Sequence, residues 1–186
     1  MKKKYIILIV LLIVYLFLYK RMTHMNEDDL DWVKVYEKER VKLFATKDGI
    51  IDTLFVRNTA IHNSTWPFIR NEASDEYTAG ASIDFYILHM QDTVDGILIV
   101  RKVKNEKPAI ISFRLCDRYA FKLTPDLQKF IIDNKTYDDC IVVDSSNSEL
   151  GIYQPMICNI KSFIWSKSKG LIKYTFEDGT GYCLIE

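Results

Sequence analysis

Hydrophobic and polar positions divide the chain into three regimes. From Tyr5 to Tyr19 every residue is apolar or aromatic, with no charge, Gly or Pro. From about Asp28 to Lys47 apolar residues recur near helical spacing: Leu30, Val33, Val41 and Phe44. After Gly49 the period shortens towards two, the signature of strands with one buried face.

The first regime reads as a membrane segment. A spanning helix needs about 20 apolar residues, and a run of 10–14 suggests a signal-peptide core or an interfacial segment. Tyr5–Tyr19 falls between, and its flanks decide. Lys4, Lys20 and Arg21 can lay their stems along acyl chains and keep their charges among headgroups. Tyr5, Tyr15 and Tyr19 suit the interface. A cleavable signal needs small residues after the core, and Leu18–Thr23 offers none. An uncleaved signal anchor is therefore expected, the alternative being a signal peptide cut at a poor site. Lys2–Lys4 before the run, and an N-terminal stub too short to hold a domain, orient it N-in and C-out.

Asn26 followed by Glu27, Asp28 and Asp29 reads as an N-cap with an acidic first turn. A helix is expected from about Asp28 to Lys47, stopped by Asp48-Gly49, with a strand at Val33–Tyr36 as the competing reading. Beyond it, Ile50–Arg57, Ile83–Gln91, Gly96–Lys104 and Ala109–Phe121 are rich in β-branched and aromatic residues and bounded by turn formers. Thr59–Gly80 lacks a period and reads as a long loop. Phe130–Ile132 and Tyr137–Val143 flank a turn in which Asn134 suits a left-handed position; a short helix at Pro125–Ile132 is the alternative. Met156–Trp165, Leu171–Phe176 and Gly181–Ile185 read as three strands. On the middle one, Ile172, Tyr174 and Phe176 are expected to face the core and Lys173 the solvent.

The pattern predicts a mainly β fold: an antiparallel sheet able to curve into a half-barrel, preceded by a transmembrane helix and a short juxtamembrane helix. Residues 1–4 form a cytoplasmic stub, 5–21 the anchor, 22–48 the juxtamembrane helix and linker, and 49–186 the extracytoplasmic β domain. Charge sharpens this picture. The chain of 186 residues carries 25 basic and 25 acidic side chains. Five of the basic ones flank the apolar run, so the remainder holds 20 basic against 25 acidic residues. An acidic domain without Lys/Arg clusters argues against nucleic acid. Aromatics at 13% and only 7 glycines mark a packed globular composition.

Candidate chemistry is sparse. His24, His62 and His89 have no metal-ligand partner at i+2, i+3 or i+4, so no metal or cofactor is expected. His62 lies beside Ser64 and Thr65, where a polar loop is the simpler reading than a nucleophile pair. His89 is expected to be half-exposed rather than catalytic. Asp92 and Asp95 lie near a turn. Asp138 and Asp139 are adjacent on a strand, point to opposite faces, and so cannot share an acid–base site. Cys116, Cys140, Cys158 and Cys183 form no C-x-x-C motif. Their even number permits disulfides outside the cytoplasm. A Cys158–Cys183 bridge would have to cross two strand spacings, about 9.6 Å, against a limit of roughly 7 Å. Buried free thiols are the default reading, and Cys116–Cys140 is the best candidate bridge.

Tyr137-Asp-Asp-Cys-Ile-Val-Val, and after a loop Ser166-Lys-Ser-Lys-Gly-Leu-Ile-Lys-Tyr-Thr-Phe-Glu-Asp-Gly, resemble the end of small exported bacterial β-domains that are membrane- or lipid-anchored and of unassigned function. The resemblance covers roughly the last fifty residues. It implies an antiparallel sheet in a cell-envelope protein and carries no catalytic residue.

With no enzymatic signature, the expected function is that of a membrane-tethered, non-catalytic envelope module in the inner membrane. It would bind a protein partner, or an apolar ligand in a groove lined by Phe85, Ile87, Phe113 and Tyr174. The alternatives are a hydrolase with its site in the 59–80 loop and a structural subunit of a membrane complex.

Overall fold

The computed structural model describes residues 2–63, 78–105, 107–123, 126–150 and 159–185. Helix α1 (Lys2–Arg21) leads through a short extended segment into α2 (Glu27–Lys38). The strands β1 (Val41–Ala45), β2 (Ile51–His62), β3 (Ala79–His89), β4 (Asp92–Lys102), β5 (Ile110–Leu115) and β6 (Arg118–Leu123) follow. After them come β7 (Gln128–Ile132), β8 (Lys135–Val143), the two-residue β9 (Glu149–Leu150), β10 (Ile160–Ser166), β11 (Gly170–Phe176) and β12 (Gly181–Leu184). All pair antiparallel in one sheet of order β7-β8-β10-β11-β12-β1-β2-β3-β4-β5-β6-β9. Two meanders thus meet where β12, at the end of the chain, pairs with β1.

The sheet curls into a half-barrel. Its concave faces approach each other closely enough for Phe113 on β5 to touch Phe163 and Trp165 on β10, with ring centroids 5.8 and 5.3 Å apart. Arg118 on β6 is buried and donates from Nε to the Ile160 carbonyl at 2.8 Å. Burial alternates along β3 over nine residues, Ala79 to Ile87, as a one-sided strand requires.

Helix α2 fills the hollow. Asn26 and Asp29 form a reciprocal capping box, and Glu27, Asp28 and Asp29 stand in the first turn, where the helix dipole favours acids. Trp32, Val33 and Tyr36 form its buried stripe. Tyr36 packs on Trp165 at 5.6 Å, and its hydroxyl accepts the Leu171 amide. Asp29 and Lys102, both buried, pair at 2.5 Å and pin the helix to β4.

The helix is shorter than its apolar spacing suggests. It stops at Lys38, and Val41 and Phe44 belong to β1 instead. Backbone pairing with β2 on one side and β12 on the other wins over the helical stripe, which the alternation of Lys42 and Phe44 inward with Val41 and Leu43 outward also permits. The competing strand at Val33–Tyr36 does not form. Ala109–Phe121 is not one strand but a hairpin, turning at Cys116, whose φ is 54°. The stretch 59–80 is partly strand, because β2 runs to His62 and β3 starts at Ala79; residues 64–77 lie outside the described residues. The hairpin at Asp133-Asn134 is as expected, with φ of 48° and 63°. The alternative helix at Pro125–Ile132 is a strand from Gln128.

On β11 the expected phase holds for Tyr174 and Phe176 but not for Ile172. Ile164 opposes Lys173 while Trp165 opposes Leu171, so Ile172 is an extra residue on β11. Such a bulge shifts the alternation by one. Leu171 joins Tyr174 and Phe176 in the main core. Ile172 points to the opposite face, into a smaller cluster with Tyr137, Cys140 and Ile164.

Helix α1 is present, but the expected transmembrane helix is not shown in that form: among the described residues no helix is long and apolar enough to cross a membrane. At about 1.5 Å per residue, Tyr5–Tyr19 spans roughly 22 Å, short of a hydrocarbon core of about 30 Å.

Gly170 has φ of +76°, and a Cβ there would lie 2.4 Å from the Tyr36 hydroxyl, whereas Gly49, with φ of +84°, has open space around it. Gly49→Ala should cost about 1–2 kcal/mol for left-handed strain alone. Gly170→Ala adds about 1–3 kcal/mol of overpacking. Urea midpoints should rank wild type, Gly49→Ala, Gly170→Ala; equal midpoints for the two variants would mean that Tyr36 does not seat against β11.

Candidate functional site

The strands give the domain two ends. At one, called the base here, lie the termini of β2 at His62, β3 at Ala79 and β4 at Lys102. The segment leaving α1 docks there. Met22, Thr23 and Met25 are buried. Thr23 donates to the Val103 carbonyl at 2.9 Å, and Asn105 donates to the Met22 carbonyl at 2.6 Å while accepting from the His24 amide at 2.8 Å. The Met25 amide donates to Asn63 at 2.8 Å. The apolar helix is therefore joined to the domain without slack.

The far end holds a buried polar node. Asp52, on the concave face of β2, has a fully buried carboxylate that accepts from the Tyr174 hydroxyl at 2.5 Å and faces His89 Nδ1 at 2.8 Å. Tyr182 stacks parallel on Tyr174 at 5.1 Å, and His89 sits against Phe176 and Tyr182. Burial, then the bond to Asp52, pushes the Tyr174 phenol far above its usual range, so it stays protonated as a donor. Burial and the Asp52 charge raise Tyr182 in the same direction. An aspartate behind a histidine is the orienting half of a general base. Among the described residues, however, no serine, threonine or cysteine hydrogen-bonds to His89. The node holds β2, β3 and β11 together.

Other sequence candidates resolve differently. Phe85, Ile87, Phe113 and Tyr174 do share the concave face, yet all four are buried in the main core. Phe85 and Phe113 press on Trp165 at 5.9 and 5.3 Å. These side chains fill the hollow rather than line a groove. Asp138 is exposed and lies 3.7 Å from Lys129. Asp139 is a brace: it accepts from Ser166 and from the Ser168 amide, both at 2.7 Å. Burial opposes its ionisation, but the bonds from Ser168 and Ser166 outweigh that and hold its carboxyl below the usual value. Asp95 pairs with Arg57 at 2.8 Å, and Arg57 lies over the Tyr86 ring. His62 is exposed at the base, and the remainder of its loop is outside the described residues.

The convex face carries what sequence reading missed. Directly opposed residues of antiparallel strands share a face. Val41 opposes Phe55, which opposes Tyr86; Leu43 opposes Thr53, which opposes Leu88; Ile51 opposes Ala45. Ile185 bonds through its amide to the Leu43 carbonyl. Val41, Leu43, Ile51, Leu88 and Ile185 are each exposed by 42–57%. An apolar patch thus runs across β12, β1, β2 and β3. The outward alternation was legible in β2, whereas β1 was expected to be helical, and the contiguity depends on strand order. Among the described residues no group of three or more His, Cys, Asp or Glu could hold a metal ion.

Cys116 is disulfide-bonded, while Cys140 and Cys183 are free. The Cys116–Cys140 bridge is thereby corrected. The two side chains lie on opposite faces, Cys116 in the main core and Cys140 in the smaller cluster.

No protein-family model, curated protein or solved structure matches the chain.

Burial, then the nearby Asp139 charge, pushes the Cys140 thiol up to about 11, and burial raises Cys183 as well. In denaturant without reductant two thiols should titrate, and four after reduction. In the native protein at pH 8 Cys140 should resist a thiol reagent, because it is both buried and protonated. Four thiols titrating before reduction would contradict the bonded state of Cys116.

Proposed function

We propose that the chain is a membrane-tethered binding module whose domain stands outside the cytoplasm and holds a protein partner on the convex face of β12, β1, β2 and β3. The observation that carries the tether is the surface of α1. Every side chain from Tyr5 to Tyr19 except Leu18 is exposed by 40–65%. A helix apolar on all sides belongs in a protein interior or a bilayer, and these side chains keep much of their surface open. Lys4 extends the span by snorkelling. Local thinning of the bilayer accommodates the rest at a modest cost. The bonded Cys116 supports an oxidising compartment for the domain.

The choice of protein over apolar ligand rests on where exposed apolar surface lies. The concave face is occupied by Phe85, Phe113, Trp165 and α2, while the convex patch is open. Contiguous exposed apolar surface marks interaction sites. The patch is bordered by the Arg57–Asp95 pair, as a polar rim borders an interface core.

A photoreactive residue at Leu43, in cells carrying the full chain, should give one discrete adduct in the membrane fraction. The same residue at Lys129, on edge strand β7, should not. Leu88→Asp, which changes an exposed side chain, should leave the melting temperature within a few degrees and abolish the Leu43 adduct. Adducts from Tyr15 but none from Leu43 would instead favour a structural subunit that uses α1 as its interface. No adduct from either position would overturn the partner reading.

A further inference from the structure

The base of the domain is fixed against the end of α1, which determines what that base must touch if α1 lies in a bilayer. This inference rests on the tether reading. The turn between β4 and β5 is the nearest part of the domain: Val103 and Asn105 bond directly to Thr23, Met22 and His24. Lys104 and Lys107 stand exposed on that turn, which a backbone bond from the Lys107 amide to the Lys104 carbonyl closes at 3.2 Å. In sequence, Lys20 and Arg21 end the helix immediately before Met22.

Among the described residues, the acids in the first turn of α2 are paired. Glu27 and Asp28, in the first turn of α2, pair with Lys34 and Lys167 respectively. Asp29 is buried against Lys102. The turn itself has one acid in its sequence, Glu106, between the two lysines. Among the described residues the turn therefore presents two exposed lysines beside the helix end, although the domain as a whole carries an excess of acids.

We infer that the β4–β5 turn is a lipid-contact site, in which Lys104 and Lys107 bind anionic phospholipid headgroups of the leaflet from which α1 emerges. Two features favour lipid as the occupant. The turn is hydrogen-bonded to the residues that follow the apolar helix, so it lies close to the headgroups when α1 is in the bilayer. Its charge is also complementary to an anionic surface, which attracts each nearby lysine by roughly a fivefold shift in occupancy. The contact would fix which way the domain faces. The far end, with Asp52 and His89, is separated from the base by the length of β3, roughly 34 Å for eleven residues.

The test uses the full chain in nanodiscs of phosphatidylcholine alone or with phosphatidylglycerol, and reads amine acylation by mass spectrometry. Lys104 and Lys107 should label at least about fivefold more slowly in the anionic discs. Lys47, at the far end, and Lys129, on the edge strand, should label equally in both. Near 1 M salt, where the Debye length is about 3 Å, the difference should vanish. A chain retained in both discs with equal labelling of Lys104 and Lys107 would overturn the lipid contact and leave the tether standing. A chain that does not enter the discs would overturn both.

Discussion

Everything in the domain depends on the packing around Trp165. Tyr36 from α2, Phe85 from β3 and Phe113 from β5 all meet its ring, at centroid distances of 5.3–5.9 Å. An antiparallel sheet of twelve strands would normally leave one long face to cover. Here one tryptophan, on β10 of the second meander, draws the first meander and the helix onto the same point. The curl, the seat of α2 and the absence of a Cβ at Gly170 are consequences of that convergence. Burying an aromatic ring to this degree contributes roughly 3–5 kcal/mol, comparable with much of a typical domain's net stability of about 5–15 kcal/mol.

A filled hollow moves any binding to the outside and gives the polar contacts a different role. Asp29–Lys102 and the Asp52 node are buried, and buried charge pairs are weak sources of net stability. Their effect is positional. The first fixes the axial position of α2, and the second ties β11 across to β2 and β3. Together with the bonds from Thr23 and Asn105, they fasten the segment after α1, helix α2 and both meanders to one another. On the proposed reading, such an attachment suits a module that presents one defined face rather than one that searches on a flexible stalk.

The elements were largely legible in the sequence; their neighbours were not. Period-two alternation and turn residues located β2, β3, β4 and the last two hairpins, because one-sided burial imprints itself locally. The break between α2 and β1 was hidden because Val41 and Phe44 satisfy both a helical and an alternating pattern, and only pairing with β2 and with β12, some 140 residues later, decides between them. The bulge at Ile172 was hidden because an extra residue leaves no local mark when both Leu171 and Ile172 are apolar. Asp52, His89 and Tyr174 lie 37 and 122 residues apart and meet only through strand order. The convex patch was illegible for the same reason: Val41 and Leu43 fell in an expected helix, and Ile51, Leu88 and Ile185 looked like ordinary strand positions until the register placed them side by side.

We propose that α1 is exposed in this structure because a bilayer covers it in the cell. Extraction of membranes with alkaline carbonate tests this most directly. The full chain should remain in the pellet, and a chain beginning at Met22, directed to the same compartment by a cleavable signal, should appear in the supernatant. Full-length protein released into the supernatant would contradict the account.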